Sequence, residues 1–403
     1  MKLRGRDIII VGQQPWDIDI GSNCKNIAIE LSKYHRILYV NAPLDRITKI
    51  RFGKDPKVRK RIGIIKSKNN GLEKVQENLW VLYPNILIES INWIRIGSLF
   101  SLFNLINNKR FAKTITQAKT VLNFVDFILF NDNDIFRSFH LKELLKPDLS
   151  VYYIRDYMIA TPYWKRHGKK LEPKLIKKSD LVLSNSEFLK RYSEKYNPNS
   201  YYVAQGCDFD LFKDSKRICP EDMSHIVTPV IGYFGALTSL RLDIKLIQHI
   251  AESFPMCSIV LVGPQDDIFK KSTLHSFVNI FFLGRKDPNE IFNYINCFDV
   301  CINPQLVNEL TIGNYPRKID EYLALGKPIV ATWTETMEPF KDFVYLAKNQ
   351  EEFIESIHNS LKENSGKKQQ AREKFALSHT WENAVNVISD KIKLHLSDID
   401  CEE

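Results

Sequence analysis

The sequence predicts an α/β protein with two doubly wound domains that face each other across a cleft. Short apolar runs alternate with helical segments in both halves of the chain, as expected for parallel strands joined by crossover helices. Several of these runs end at a glycine, for example Asp7–Gly12 and Val230–Gly235. The 403 residues are enough for two hydrophobic cores. The polar, aperiodic residues 213–228 predict a linker between the two domains.

The first predicted domain, residues 1–212, begins with a strand, a helix and a second strand: Asp7–Gly12, Asn23–Lys33 and Arg36–Val40. The alternation resumes with strands at Phe127–Phe130, Ser150–Ile154, Leu181–Ser184 and Tyr201–Val203, and with helices at Leu171–Lys178 and Glu187–Tyr196. In an open sheet of this kind, ligands bind at the carboxyl ends of the strands. We therefore expect functional residues in the loops that follow the strands.

The second predicted domain, residues 229–378, repeats the pattern. Its strands are predicted at Val230–Gly235, Ser258–Val262, Val278–Leu283, Val300–Ile302 and Pro328–Thr332. Its helices are predicted at Leu242–Ser253, Pro288–Asn296 and Lys318–Leu325.

Several classes of protein are disfavoured by composition. No stretch approaches the roughly 18 uncharged apolar residues that span a bilayer, and the N-terminus has a short strand where a secretion signal needs a longer apolar run. A cytoplasmic location is therefore expected. The seven cysteines occur singly and without a CxxC pair, which argues against a disulfide framework or a zinc site.

The net charge of +9 is concentrated between Asp45 and Lys68, where ten Lys or Arg residues accompany two Asp residues. Such a stretch can bind an anionic membrane surface or serve solubility, whereas nucleic acid is disfavoured because no nucleic-acid-binding module accompanies it. The apolar segment Trp93–Ile106 has two interpretations. It is either a core helix or a surface helix that contacts a membrane or a lipid-linked acceptor.

The most informative motif runs from Asn314 to Pro328. Pro316 suits the start of a helix, which places Arg317 and Lys318 in the first helical turn. Cations are disfavoured there unless an anion is bound, and a phosphate would accept hydrogen bonds from the amides and the basic side chains. Glu321 lies one turn beyond Lys318 and can accept hydrogen bonds from the two hydroxyls of a ribose. The alternative is a solvated ion pair on the helix surface.

Two further loops carry candidate residues for phosphate binding. Gly235 ends a predicted strand, where a glycine lets a ligand approach the backbone, and Arg241 follows near the next helix start. Gly21 lies at the start of the first helix and suits an anionic group. The loop around Gly21 is not a GxGxxG fingerprint, and no Walker lysine follows it, so NAD and ATP sites of those kinds are not supported.

These residues resemble the glycosyltransferases of the GT-B fold, whose domains are Rossmann-like, and in particular the large family 4, or group 1. The resemblance covers most of the chain and is densest from Leu181 to Thr332. It rests on the order and spacing of these segments: Ser179–Glu187, Val203–Phe212, Phe282–Gly284, Phe298–Val300, Asn303–Pro304 and His379–Glu382.

The resemblance implies a role for each matching residue. Glu321 falls where the family binds the donor ribose, just before the Ala324, Gly326 and Pro328 segment. Arg241 and Lys318 fall where it binds the donor diphosphate, and Gly21 where a glycine approaches the donor phosphate. The resemblance further implies that the last helix, residues 379–397, crosses back onto the first domain.

One departure from the family pattern concerns the transferred sugar. The family has a Glu eight positions before its ribose Glu, where this sequence has Gly313, and Glu309 is nearby but out of register. The departure leaves open which group contacts the transferred sugar, and whether the reaction retains or inverts.

The predicted reaction is the transfer of a sugar from a nucleotide-sugar donor to a hydroxyl of a glycan or lipid-linked acceptor. Arg241, Lys318 and helix N-termini would stabilise the leaving group, so neither a metal nor a cofactor is expected. The Asp132 and Asp134 spacing is that of a metal motif, but helix capping is the favoured interpretation. Asp156, at a strand end, is the candidate base that takes the acceptor proton. An ion pair with a neighbouring cation is its alternative.

Two other functions remain open at this point. A sugar-nucleotide epimerase shares the two-domain layout and needs no acceptor. A non-catalytic subunit of a polysaccharide assembly complex would bind the donor without turnover, and the missing Glu at Gly313 favours it.

Overall fold

The computed structural model describes residues 5–18, 22–67, 69–209, 219–363 and 365–402. The chain forms two compact units. The first contains residues up to 204 together with those from 384 onward, and the second contains Gln205–Asn383. Of the predicted linker, residues 213–218 lie outside the described residues, and residues 219–228 belong to the second unit.

The first unit is built on an eight-stranded sheet with the order β10-β9-β8-β7-β1-β2-β5-β4. The strands are parallel except β4, which runs antiparallel to β5. A separate parallel pair joins β3 to β6. The bounds are β1 Asp7–Gly12, β2 Arg36–Val40, β3 Leu44–Asp45, β4 Leu72–Gln76, β5 Leu79–Leu82, β6 Leu87–Ile88, β7 Phe127–Asp132, β8 Leu149–Ile154, β9 Leu181–Ser184 and β10 Ser200–Tyr202.

Every residue of β1, β7 and β8 is buried, because helices cover both faces of a parallel sheet. The helices of this unit are α1 Asn23–Ser32, α2 Arg46–Arg51, α3 Pro56–Ser67, α4 Gly97–Val121, α5 Leu141–Leu145, α6 Pro162–Lys178 and α7 Glu187–Glu194. Side-chain caps mark some of their starts. The Asp45 carboxylate, for example, accepts from the amides of Ile47 and Thr48 at the start of α2.

The second unit contains a six-stranded, fully parallel sheet with the order β13-β12-β11-β14-β15-β16. Its strands are β11 Val230–Phe234, β12 Ser258–Val262, β13 Ile280–Gly284, β14 Val300–Asn303, β15 Ile329–Thr332 and β16 Tyr345–Ala347. Its described helices are α8 Ile244–Ser253, α9 Asp267–Lys270, α10 Ile291–Asn296, α11 Arg317–Ala324, α12 Gln350–Leu361 and α13 Gly366–Ala376. The last helix of the chain, α14, spans Trp381–Glu402 and belongs to the first unit from Ala384 onward.

The structure corrects several element boundaries. The helix predicted at Leu171–Lys178 is the second half of α6, which begins at Pro162. The helix predicted at Pro288–Asn296 is a short 3₁₀ turn followed by α10. Such shifts occur because helix ends depend on caps and packing more than on periodicity.

The apolar segment Trp93–Ile106, predicted to be either a core helix or a surface helix, is partly buried and partly exposed. Phe100, in the first turns of α4, is buried with 2% exposure, whereas Trp93 before the helix is 67% exposed and Leu102 is 54% exposed. One side of the segment therefore belongs to the core and the other forms surface. Within the described ranges, no helix has an apolar stretch of the length that a bilayer span requires.

Candidate functional site

The carboxyl end of the central strand β11 is shaped by two glycines. Gly235 follows β11 with φ +143°, and a Cβ added there would lie 3.0 Å from the Tyr233 hydroxyl and 3.4 Å from Lys318 Cε. Gly263 follows β12 with φ +149°, and its added Cβ would lie 1.9 Å from the Gly235 carbonyl oxygen. Both positions have backbone angles that other residues rarely adopt. The backbones of the loops after β11 and β12 therefore pack directly against each other, with no room for a side chain at Gly263.

Lys318, in the first turn of α11, contacts the carboxyl end of β11. Its amino group donates to the Tyr233 hydroxyl at 2.7 Å and lies 4.5 Å from the centroid of the Tyr233 ring. The side chain is half-buried, and it has no carboxylate partner among the residues that the structure describes. A half-buried lysine at a helix N-terminus, where the helix dipole is also positive, favours the binding of an anion.

Glu321 follows one turn later on α11 and is 17% exposed. Its Oε1 lies 3.3 Å from Arg317 Nε, so the ion pair that forms is with Arg317 rather than with Lys318. Burial raises the pKa of Glu321, while the positive charges of Arg317 and Lys318 oppose that rise. The pair therefore does not lie on a solvated face, and Arg317 contacts the carboxylate of Glu321.

A buried polar cluster behind α11 was not anticipated from the sequence. Asp320 is fully buried, accepts from the Tyr315 hydroxyl at 2.7 Å, and lies 2.7 Å from Nδ1 of His379. Burial raises the pKa of Asp320, and His379 and Tyr315 oppose the rise. Tyr315 stands just before α11 and His379 just before α14, so the cluster holds the start of α11 in place. No local signal in the sequence distinguishes this contact from a surface aspartate.

Arg241 lies in the loop after β11, and that loop is bonded to the one that follows β14. The amide of Leu306 donates to the Arg241 carbonyl at 2.8 Å, and the Asn308 side chain donates to the Leu240 carbonyl at 3.0 Å. The Arg241 side chain is exposed, and its guanidinium has no protein partner within the described ranges. The loop that carries Arg241 and the loop that leads to Lys318 are therefore hydrogen-bonded to each other at the carboxyl ends of β11 and β14.

The residues around the missing Glu lie in this second loop, between β14 and α11. Gly313 is buried, and Glu309 is exposed. Among the candidates of the first unit, Gly21 lies outside the described residues.

Asp156 lies just beyond β8, and its carboxylate is 36% exposed. Nη1 of Arg155 lies 2.8 Å from Asp156 Oδ2, and Nε of Arg155 lies 2.9 Å from Oδ1 of Asp132. Asp132, at the end of β7, is fully buried, and this burial raises its pKa against the opposing charge of Arg155. One arginine thus bridges a buried and a half-exposed carboxylate.

The capping role predicted for Asp132 and Asp134 is wrong, because α5 begins only at Leu141. Asp134 instead accepts from the amides of Phe136 and Arg137 in a turn, and it pairs with the Arg137 guanidinium at 2.6 Å. Within the described ranges, no group of three or more potential metal ligands of the His, Cys, Asp and Glu types is found.

Comparison with known proteins supports the fold and the family resemblance. Residues 228–363 match the family described as "Glycosyl transferases group 1". Over 201 residues the chain is 27% identical to a Bacillus subtilis (strain 168) protein named "Putative teichuronic acid biosynthesis glycosyltransferase TuaH". This match covers 47% of the chain and 48% of that protein, so the chain spans about half the length of the curated relative.

Solved structures resemble almost the whole chain. Anabaena Alr3699/HepE, crystallised in complex with UDP and glucose, has a TM-score of 0.62 at 15% identity, with 97% of this chain and 99% of that chain covered. The α,α-trehalose 6-phosphate synthase of Burkholderia multivorans has a TM-score of 0.65 at 11% identity, with 99% and 98% covered. The E. coli trehalose-6-phosphate structure bound with UDP-2-fluoro glucose has a TM-score of 0.63 at 10% identity, with 97% and 98% covered. These likenesses confirm the GT-B fold, with its two Rossmann-like domains. The family match confirms the resemblance to group 1 glycosyltransferases.

Proposed function

We propose that this chain, whose residues 228–363 match the group 1 glycosyltransferases, transfers a sugar from a nucleoside diphosphate sugar to a hydroxyl acceptor in the synthesis of a cell-surface glycan. The observation that carries the proposal is the position of Lys318. Its half-buried amino group lies beside Gly235 at the start of α11, with no carboxylate partner in the described part of the chain and with Glu321 one turn away. The relative named for teichuronic acid biosynthesis supports the cell-surface pathway.

The proposed donor site assigns each polar group of a nucleotide to a side chain. The diphosphate is bound by Lys318 and Arg241, with the N-terminus of α11 adding its positive dipole end. The ribose hydroxyls donate to Glu321. Arg317, whose Nε is 3.3 Å from Glu321, stabilises the charged form of that carboxylate, which is the better acceptor. Gly235 leaves room for the phosphate to approach the backbone.

Transfer of the sugar leaves a nucleoside diphosphate whose negative charge increases as the glycosidic bond breaks. Positioned cations stabilise that charge without a metal ion, which is the role proposed for Lys318 and Arg241. Asp156 remains the proposed base for the acceptor hydroxyl. Its exposure of 36% makes it accessible, and the Arg155 contact at 2.8 Å orients it.

The donor site is tested by measuring nucleotide binding, because binding does not require the acceptor. A thermal-shift screen of UDP-, GDP-, ADP- and TDP-sugars identifies the donor, since a ligand that binds only the native state raises its melting temperature. Lys318→Ala should then weaken binding of that donor at least tenfold, because it removes a charge-assisted contact of about 1.5–3 kcal/mol.

The matched control is Lys245→Ala. Lys245 is also the second residue of a helix in the second unit, α8, but it is exposed. Equal donor affinity of the two variants would refute the donor site. A donor that binds normally but is never transferred, across a panel of glycan and lipid-linked acceptors, would favour the non-catalytic subunit. An altered sugar formed from the donor alone would indicate an epimerase.

The acceptor and the site of action are further parts of the proposal. We propose a glycan or lipid-linked acceptor and a peripheral location at the inner face of the membrane. The basic stretch that includes α2 and α3, together with exposed Trp93 and Ile96, supports this location. Flotation with anionic and with neutral liposomes tests it. Protein that stays at the bottom of the gradient at low salt would contradict membrane binding.

A further inference from the structure

A cavity of about 490 Å³ lies in the first unit and takes no part in the donor site. All of its lining residues fall between Pro43 and Arg166. They come from α2 and the residues before it, the end of β6 and the segment that follows it, the buried side of α4, the loop after β7 and the start of α6. The volume is within the range of pockets that hold small-molecule ligands.

Aromatic rings form one part of the cavity lining. Phe136 and Trp164 have ring centroids 4.6 Å apart, and Tyr163 lies 5.1 Å from Trp164. Trp93 also lines the cavity and is 67% exposed at its mouth. Flat aromatic faces of this kind contact sugar rings and apolar chains without demanding hydrogen bonds.

Side-chain amides form the polar part of the lining. Asn104 lines the cavity and is 2% exposed, and none of the described residues accepts a hydrogen bond from its amide NH₂. Oδ1 of Asn92, also in the lining, is buried without a hydrogen-bond partner in the same part of the chain. Buried amide groups without partners are uncommon, and a bound polar ligand would satisfy them.

The two acidic residues of the cavity lining, Glu89 and Asp45, already have partners within the protein. The Glu89 carboxylate pairs with Arg46 at 2.6 Å and with Arg110 at 3.0 Å. The Asp45 carboxylate accepts hydrogen bonds from the amides of Ile47 and Thr48 and from the Thr48 and Ser90 hydroxyls. Both acids are therefore fully occupied.

The three lining arginines differ from one another. Arg137 is paired with Asp134 at 2.6 Å. Arg51 and Arg166 have no carboxylate partner among the described residues, and Arg166 donates only to backbone carbonyls, those of Asn92 and Trp93. Two unbalanced guanidinium groups in one cavity favour an anion, and guanidinium geometry fits a phosphate.

Apolar side chains continue from the cavity onto the surface. Ile47 and Trp93 both line the cavity and are exposed, at 39% and 67%. The exposed large hydrophobic residues that follow them in sequence are Ile50, Phe52, Ile96, Leu99 and Leu102. Single exposed hydrophobic residues are ordinary, but two runs that each contribute a residue to one cavity lining indicate a surface for an apolar ligand.

We infer that this cavity binds the lipid phosphate part of a lipid-linked glycan acceptor, whose sugar carries the accepting hydroxyl, with the phosphate at Arg51 and Arg166 and the apolar chain along the exposed hydrophobic residues. The inference rests on the proposed function, since it specifies the acceptor of that reaction. A membrane phospholipid headgroup offers the same chemistry. The aromatic lining and the unsatisfied amides inside the cavity favour a ligand that enters it, so the acceptor is the occupant proposed.

The probe is decyl phosphate below its critical micelle concentration, titrated into the full chain by calorimetry. Decyl maltoside, with the same chain and no phosphate, and inorganic phosphate, with no chain, are the comparison ligands. We expect saturable binding of decyl phosphate and at least fivefold weaker binding of each comparison ligand. Equal binding of decyl maltoside, or no saturable binding of decyl phosphate, would overturn the inference.

The variant is Arg51→Ala, and its matched control is Arg59→Ala, which removes an exposed arginine of α3 that does not line the cavity. Arg51→Ala should weaken decyl phosphate binding at least fivefold, Arg51→Lys should restore part of it, and Arg59→Ala should leave it unchanged. Equal affinities for Arg51→Ala and Arg59→Ala would rule out the cavity.

Two further arms separate the alternatives. If phosphatidylglycerol vesicles compete with decyl phosphate, and Arg51→Ala abolishes flotation, the occupant is a membrane headgroup and the acceptor assignment fails. Donor binding is measured on the same samples. If the donor binds but decyl phosphate does not, the assignment of the cavity as a lipid phosphate site is wrong. If decyl phosphate binds but no donor does, the proposed function is wrong.

Discussion

The carboxyl ends of the two sheets have the same position in the fold but opposite electrostatics. In the first unit, Arg155 lies between Asp132 and Asp156 at 2.9 and 2.8 Å, so its charge is neutralised within the protein. In the second unit, the Lys318 amino group contacts the neutral Tyr233 hydroxyl at 2.7 Å. A doubly wound sheet thus gathers polar residues at the carboxyl ends of its strands, while the pairing of their charges differs between the two units. We therefore expect an anion to bind at the second sheet rather than at the first.

The two units also differ in the partners of a buried carboxylate. Glu172 of the first unit is fully buried and, among the described residues, accepts only from the hydroxyls of Tyr152 and Tyr192, at 2.9 and 3.1 Å. Asp320 of the second unit has the His379 imidazole in addition to a tyrosine. Burial raises the pKa of both acids, and for Glu172 only the two tyrosine hydroxyls oppose that rise.

The largest effect is expected from Arg155→Met, which leaves two carboxylates of the first unit without their cation. Removing one partner of a buried ion pair typically costs about 3–5 kcal/mol in the free energy of unfolding. Urea denaturation measures this loss, and donor affinity should stay unchanged. The control is Arg6→Met, which breaks an exposed pair of 3.5 Å with Asp148 and should cost under about 1 kcal/mol. Equal losses would show that Arg155 is not buried as described.

The next effect concerns pH and Glu172, whose pKa burial raises to about 7. Ionising this group opposes folding, so its contribution to stability is present at pH values below the ordinary Glu pKa and is lost as the pH rises through about 7. Glu172→Gln should therefore raise the melting temperature at pH 8, by a stability gain of roughly 1–3 kcal/mol, with little gain at pH 5. Melting curves at both pH values test this, and a gain of the same size at pH 5 would contradict it.

A moderate effect is expected from Asp320→Asn in the second unit. The substitution keeps the size of the side chain but weakens the contacts with His379 and Tyr315, at a cost of about 1–2 kcal/mol. Because these contacts hold the start of α11, the affinity for the donor should fall as well, by about threefold to tenfold. Thermal melting and donor titration are measured together. Lost stability with unchanged affinity would separate this cluster from the donor site.

The smallest effect is expected from Arg241→Ala, because Arg241 is exposed and its attraction for a diphosphate is screened by salt. Donor affinity should fall about threefold at low ionic strength, and the difference should shrink in 0.5 M salt. Calorimetric titration at two salt concentrations measures this. A larger loss than that of Lys318→Ala would reverse the ranking of the two cations.

The order of the strands and helices could be predicted from the sequence because periodicity is a local property. Strands such as β1 and β11 are contiguous apolar runs, and α11 begins within one residue of its predicted start because Pro316 precedes it. The prediction failed where caps and short elements decide the structure. The 44–88 segment, with α2, α3 and four short strands, has no strong periodicity and was not resolved into elements.

The sequence by itself determined the alternation that builds two doubly wound sheets and the spacing of Lys318 and Glu321 along one helix. Only the tertiary structure decided their partners. Lys318 meets Tyr233 across 85 residues of chain, and Asp320 meets His379 across 59. Spacing within a helix follows from its 3.6-residue period. Contacts over such separations depend on how the strands order themselves in the sheet, and no local pattern records that order.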